Sequence, residues 1–431
     1  MSGPPRPRFA TARGLVIDLE PLRLDPDFRR LWTGQAINTI GTQITRVALP
    51  YQVFVHTGSM AALAGLTLVQ LIPLLLFSLS GGAIADAMDR RRILIVAQLG
   101  LAATSLAFVV LSLQPEMSMP ALFAVAFVAA AFTAVDWPAR SSAIPRLVPA
   151  QRLRAAISLG QLTFNGGAVL GPVIAGILIG SVGAAGAFAA DVASYAFSLA
   201  MLARLRPIPP LGGSPKAGLA AIKEGLQFVR SRRLILSTFA IDLNAMIFGM
   251  PTAVFPALAL DIFKVGPVGL GFLNAAPAVG AFIGIAFSGA LNRVRRIGRG
   301  IILAVVAWGA AIALFGLSTF FFPLALVFLA IAGAADVVSA VFRNSAVQLE
   351  APDELRGRIA AMNILVVTSG PRIGDIEAAL VAAAIGAQLS VISGGLLCLL
   401  GVVGVVRAFP ELDSHVSTIR APAVAAADGA G

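Results

Sequence analysis

Gly81-Gly82-Ala83-Ile84-Ala85-Asp86-Ala87-Met88-Asp89-Arg90-Arg91-Arg92 closes one apolar run, 61–85, and leads into the next, 93–113. Small residues at a helix end let a neighbouring backbone approach closely. Three consecutive arginines directly after them cannot enter a lipid layer and anchor the chain at its surface. The stretch therefore reads as a tight turn between two membrane spans. Working outward, apolar runs and breakers place spans near 31–55, 61–85, 93–113, 120–142, 155–181 and 185–205. A second set falls near 234–260, 267–291, 300–318, 322–345, 360–385 and 388–408. Each is close to the roughly 20 residues that cross a bilayer as a helix.

Composition agrees. Of 431 residues, 58% are hydrophobic and 12% charged, about half the charge of a soluble domain, and mean hydropathy is +0.89. A disordered chain, a disulfide scaffold and a cytosolic enzyme are excluded, and the single Cys398 has no intrachain partner. The net charge of +11 is a topology signal, because 29 of the 32 Lys and Arg lie on one side of the spans. Lys264 lies opposite, and Arg46 and Arg372 fall inside spans. The positive-inside bias predicts an even number of spans with both termini cytoplasmic. No nucleic-acid partner is expected. The expected organisation is a cytoplasmic segment 1–30, a six-helix half 31–205, a linker 206–233 carrying an amphipathic helix, a second half 234–408 and a cytoplasmic tail 409–431. That makes an all-α membrane protein.

The halves echo each other. Arg140-Ser141-Ser142-Ala143 with Pro149 returns as Arg343-Asn344-Ser345-Ala346 with Pro352, offset by 203 residues. Internal repeats of this kind are a mark of transporters. No G-x-x-x-x-G-K-[S/T] loop is present to drive a pump with ATP, and His56 and His415 cannot form a zinc-protease motif. Neither an enzyme nor a metal site is expected.

The 81–92 loop resembles the signature between spans 2 and 3 of the major facilitator superfamily, with Ala87 and Asp89 departing from its common form. Gly166-Gly167-Ala168-Val169-Leu170-Gly171-Pro172-Val173-Ile174-Ala175-Gly176 resembles the span 5 motif of its proton-driven exporters. Asp27-Phe28-Arg29-Arg30-Leu31-Trp32, Asp191-Val192-Ala193-Ser194-Tyr195 and Gly370-Pro371-Arg372-Ile373-Gly374-Asp375-Ile376-Glu377 are similar to its enterobactin-exporter branch of drug and siderophore antiporters. The resemblance covers nearly the whole chain. It implies twelve helices in two pseudo-symmetric halves and export driven by a proton gradient with no cofactor. It further implies a monomer in contact with membrane lipid, with a small molecule and protons as partners. An importer, a lipid flippase and a non-transporting receptor remain the alternatives.

The resemblance assigns Gly82, Asp86, Asp89, Arg90, Arg91, Arg92 and Arg140 to a cytoplasmic latch between the halves. It assigns Gly167, Gly171, Pro172 and Gly176 to a bend in span 5. Ionisable groups inside a span are costly and point to function. Desolvation disfavours a charged carboxylate, which suits proton uptake and release. Asp242 and Asp336, nearest the midplane, are the first proton-coupling candidates, followed by Glu377, Asp375 and Asp136. Asp136 is read as lacking a buried cation, and Arg372 and Asp375, three apart, as a pair on one helix face. Asn38, Gln43, Arg46, Asn244 and Arg372 are the substrate-cavity candidates.

Overall fold

The computed structural model describes residues 18–209, 226–286, 294, 296–350 and 356–414, with backbone alone at 78–87, 349, 356–358, 360–361 and 414. Most of the expected linker helix, the Asp86 side chain and the surroundings of Gly82, and residues 1–17 and 415–431 lie outside the described residues. Among these residues, nine helices are long and apolar enough to cross a membrane. One of the nine, Ala150–Ala203, divides at Gly183. Pro26–Thr57 and Arg356–Ile385 have the length but carry more charge. The resulting spans are α1 (Pro26–Thr57), α2 (Met60–Ala87), α3 (Arg90–Ser112), α4 (Met119–Leu147), α5 (153–182) and α6 (184–203). The second set is α7 (from Arg233), α8 (Gly266–Ala286), α9 (Ile297–Leu317), α10 (Phe322–Glu350), α11 (Arg356–Ile385) and α12 (Ala387–Ala408).

The 203-residue repeat extends well beyond the quoted strings. Gly183, between α5 and α6, has φ 76° and ψ 177°. Gly386, 203 residues on and between α11 and α12, has φ 92° and ψ 154°. Side chains rarely adopt positive φ, so glycine makes the same turn in both halves. Gly167 and Gly171 of α5 pack on Thr39 and Gln43 of α1, while Gly370 and Gly374 of α11 pack on Met246 and Ile247 of α7. These four glycines again match at 203. Apolar burial cannot drive helices together in lipid, so backbone approach at small residues and interhelical hydrogen bonds hold the bundle. Gly280 of α8 against the Ala330 carbonyl of α10, and Gly333 of α10 against the Pro277 carbonyl of α8, are further such approaches.

α7 departs from the continuous helix expected over 234–260. The α-helix ends at Phe248 and resumes through a 3₁₀ turn (Thr252–Val254) and a π turn (Leu258–Ile262). Gly249, Pro251 and Pro256 account for the break, because proline removes a ladder N–H and clashes with the preceding turn. The freed Ala253 N–H donates to Asp375 of α11 at 2.8 Å.

The surface bearing both described termini is tied by ion pairs within each half. Asp27 at the start of α1 pairs with Arg30 and, after α6, Arg206; Asp25 pairs with Arg152. In the second half, Glu411 and Asp413 of the short helix Pro410–Ser414 pair with Arg233 and Arg299. Such pairs at a wet surface are each worth about 0–1 kcal/mol. They position helix ends more than they stabilise the fold.

Candidate functional site

The charged cluster of the second half joins α7 and α10. Arg343 Nη2 lies 2.7 Å from Asp242 Oδ1 and 4.0 Å from Asp336 Oδ1, so one guanidinium serves two carboxylates. Asp242 and Arg343 are buried, with side chains 3% and 9% exposed; Asp336 is 37% exposed. Arg343 also donates to Ser339 Oγ at 2.6 Å, one turn back on α10. The Asp242 contact is an ion pair without hydrogen-bond geometry, since Oδ1 accepts no hydrogen bond. Sequence reasoning singled out both carboxylates and missed Arg343, although the repeat already pointed to it as the counterpart of Arg140.

In the first half the equivalent arginine pairs within its own helix, its buried Nη1 having no hydrogen-bond partner among the described residues. Arg140 Nε and Nη2 both reach Asp136 at 3.1 Å, four residues back on α4. This corrects two expectations: Asp136 does have a buried cation, and Arg140 turns into its own helix instead of towards the other half. The position of Asp136 corresponds, at the 203 offset, to that of Ser339. A neutral residue there leaves Arg343 free to reach across to α7. One half thus holds a closed intrahelical pair, and the other an interhelical pair with a second carboxylate nearby.

The described contacts between the halves run from mid-depth to the surface opposite the described termini. Arg372 Nη1 of α11 donates to Gln70 Oε1 of α2 at 2.9 Å. Gly176 of α5 lies against Pro267 and Gly271 of α8, so close that a Cβ on Gly176 would sit 2.6 Å from the Pro267 carbonyl oxygen. Asp375 does not pair with Arg372 as expected. It accepts from Thr252 Oγ1 and from the Ala253 N–H, which the restart of the helix after the break leaves without a ladder acceptor. Arg46 of α1 lies within electrostatic reach of both Arg372 and Asp375. Glu377 is half-buried and has no hydrogen bond or ion pair among the described residues.

Several other expected site residues serve packing. Asn244 donates to the Cys398 carbonyl of α12 at 2.9 Å, and Asn38 Oδ1 accepts from Ser194 of α6 at 3.3 Å, so both face support helices. Gln43 lies over Gly171. Asp89 caps α3, accepting from the N–H groups of Arg91 and Arg92. Arg91 donates to the Leu202 and Ala203 carbonyls that end α6, and Arg90 to Pro209 of the linker. Polar side chains commonly take up such orphan helix-end carbonyls. These described contacts of Arg90 and Arg91 stay within the first half and its linker. Asp191, quoted in the sequence as the head of the 191–195 string, is a structural acceptor, whereas an aromatic pair between α4 and α5 escaped sequence reasoning. Asp191, 1% exposed, accepts from Thr45 of α1 and Ser105 of α3, each at 2.7 Å, and from Ser194. Trp137 of α4 and Phe164 of α5 form an edge-to-face pair with centroids 6.1 Å apart, both rings about half exposed.

The comparisons agree with this architecture. The family described as "Transmembrane secretion effector" matches residues 17–427. The "Enterobactin exporter EntS" of Shigella boydii serotype 4 (strain Sb227) is 28% identical over 363 residues, covering 83% of this chain and 86% of the relative. That of Escherichia coli O157:H7 (strain EC4115 / EHEC) matches to the same extent. Among solved structures, a bacterial homologue of the human lysosomal transporter Spinster, inward-facing and unoccupied, superimposes with a TM-score of 0.72 at 15% identity. The overlap covers 91% of this chain and 99% of that one. A bacterial homologue of the iron transporter ferroportin, inward-facing, gives 0.67 at 16% identity over 91% and 100%. With twelve spans in two halves and a family match along nearly its whole length, the chain is a multi-pass membrane transporter of small molecules and belongs to the transmembrane secretion effector family of the major facilitator superfamily.

Proposed function

We propose that the protein is a proton-coupled exporter of amphipathic small molecules, siderophores or drugs, working as a monomer in a bacterial-type inner membrane. Its termini are cytoplasmic, and the proton gradient serves in place of a cofactor. Kinship with enterobactin exporters supports the direction and the substrate class. The Asp242–Arg343–Asp336 cluster carries the coupling.

Protonation of Asp242 removes the charge that holds Arg343 against α7. The guanidinium then has a second carboxylate, Asp336, 4.0 Å away on its own helix. Transfer between them separates α7 from α10 without leaving a buried cation unpaired, a state that otherwise costs several kcal/mol. A proton thereby biases an equilibrium between two helix arrangements, and only such differential interaction can shift it. Loading takes place from the inner side, where α4 and α5 expose the Trp137–Phe164 pair, while Arg372–Gln70 and the Gly176–Gly271 contact close the outer side. Proteoliposomes containing the pure protein test this reading. A panel of siderophores and cationic dyes is screened for substrate-dependent proton movement; flux with at least one class is expected. Transport of a substrate with no accompanying proton would refute the coupling.

A further inference from the structure

Two arginines lie at mid-depth in the bundle without an ion-pair partner. Arg46 of α1, Gln70 of α2 and Arg372 of α11 stand 11, 10 and 13 residues from the outer ends of their helices. That places them ~15–20 Å in at 1.5 Å per residue, near the centre of a bilayer. Arg46 is exposed and Arg372 half-buried, and neither forms a salt bridge among the described residues. An arginine facing lipid at that depth is prohibitive, so an exposed one there lines a water-filled cavity. The one carboxylate close by, Asp375, is held by Thr252 and the Ala253 N–H of α7. Arg372 donates only to the neutral Gln70 carbonyl. The cluster of two cations and one carboxylate thus keeps an uncompensated positive charge.

We propose that Arg46 and Arg372 bind an anionic group of the transported molecule, a carboxylate or a group of similar charge. This rests on the transporter reading and deepens it by naming the substrate's charge. Guanidinium groups suit such a ligand because their planar N–H forks match two-oxygen acceptors. The two arginines belong to different halves. In this arrangement α2 and α11 are joined through Gln70–Arg372, and both arginines reach one ligand. Opening the outer side parts α2 from α11 and draws Arg372 away from Arg46. The two-armed grip becomes one-armed, and the anion is released on that side.

Binding to the purified full-length protein in nanodiscs tests this with three probes of one shape: 1-naphthoate, 1-naphthamide and 1-naphthylmethylammonium. Equilibrium dialysis at low salt is expected to show saturable binding of naphthoate at least tenfold tighter than of the amide, with the ammonium weakest. Arg46→Gln and Arg372→Gln should each erase the naphthoate preference over the amide, with an unchanged melting temperature and a monodisperse elution profile showing that the variants are folded. Arg46→Lys should keep most of it. Equal affinity for the three probes, a preference that survives both glutamine variants, or no saturable naphthoate binding would overturn the proposal. Because binding is read without any gradient, failure of proton coupling leaves this result untouched, and transport of neutral or cationic substrates alone would sink the anion site and not the transporter.

Discussion

Replacing Arg343 by glutamine removes the cation from between Asp242 and Asp336 and leaves Asp242, 3% exposed, without a cationic partner among the described residues. Breaking a buried pair from one side costs about 3–5 kcal/mol, because the remaining charge is desolvated and uncompensated. Asp242→Asn/Arg343→Gln removes both charges and should cost far less than the sum of the single changes. The interaction energy is expected at ~2–3 kcal/mol, the upper part of the range for contacting groups. The same cycle on Asp336 and Arg343 should give under ~1 kcal/mol. That pair is 4.0 Å apart and its carboxylate is 37% exposed, the regime of solvated ion pairs. Reversible unfolding in mixed micelles, read by circular dichroism, measures both cycles. Equal coupling in the two cycles, or a larger one at Asp336, would refute the assignment of Arg343 to Asp242 in the resting arrangement.

Asp136→Asn should weaken folding by about 1–3 kcal/mol, as buried hydrogen bonds to a charged group do, and leave proton-coupled transport in place, measured by melting and by flux. At Asp191, asparagine should be tolerated within about 1 kcal/mol, since it still accepts hydrogen bonds. Leucine should cost ~2–4 kcal/mol by stranding the Thr45 and Ser105 hydroxyls, visible as a lower melting temperature.

Fold was legible in the sequence because lipid imposes a simple code: runs of about 20 apolar residues, basic loops on one side, and small residues where helices meet. The 203-residue offset was readable at Arg140 and Arg343, and the structure continues it through Gly167 and Gly370 to Gly183 and Gly386. Side-chain pairing was not legible. Spacing allowed Arg372 to meet Asp375, but the decisive factor was a pair of donors at the break in another helix. Arg140 was assigned by resemblance to a latch between the halves, yet a partner four residues back holds it against its own helix. The continuous α7 was overestimated for the same reason: hydropathy records that a segment is apolar, not that its backbone ladder is broken.

The transport account rests most directly on Asp242. In proteoliposomes, Asp242→Asn should still exchange labelled substrate for unlabelled substrate across the membrane, since binding and the rocking of the halves need no net proton movement. It should fail to accumulate substrate when a proton gradient is applied, where the wild type succeeds. Undiminished gradient-driven accumulation by Asp242→Asn would contradict the account.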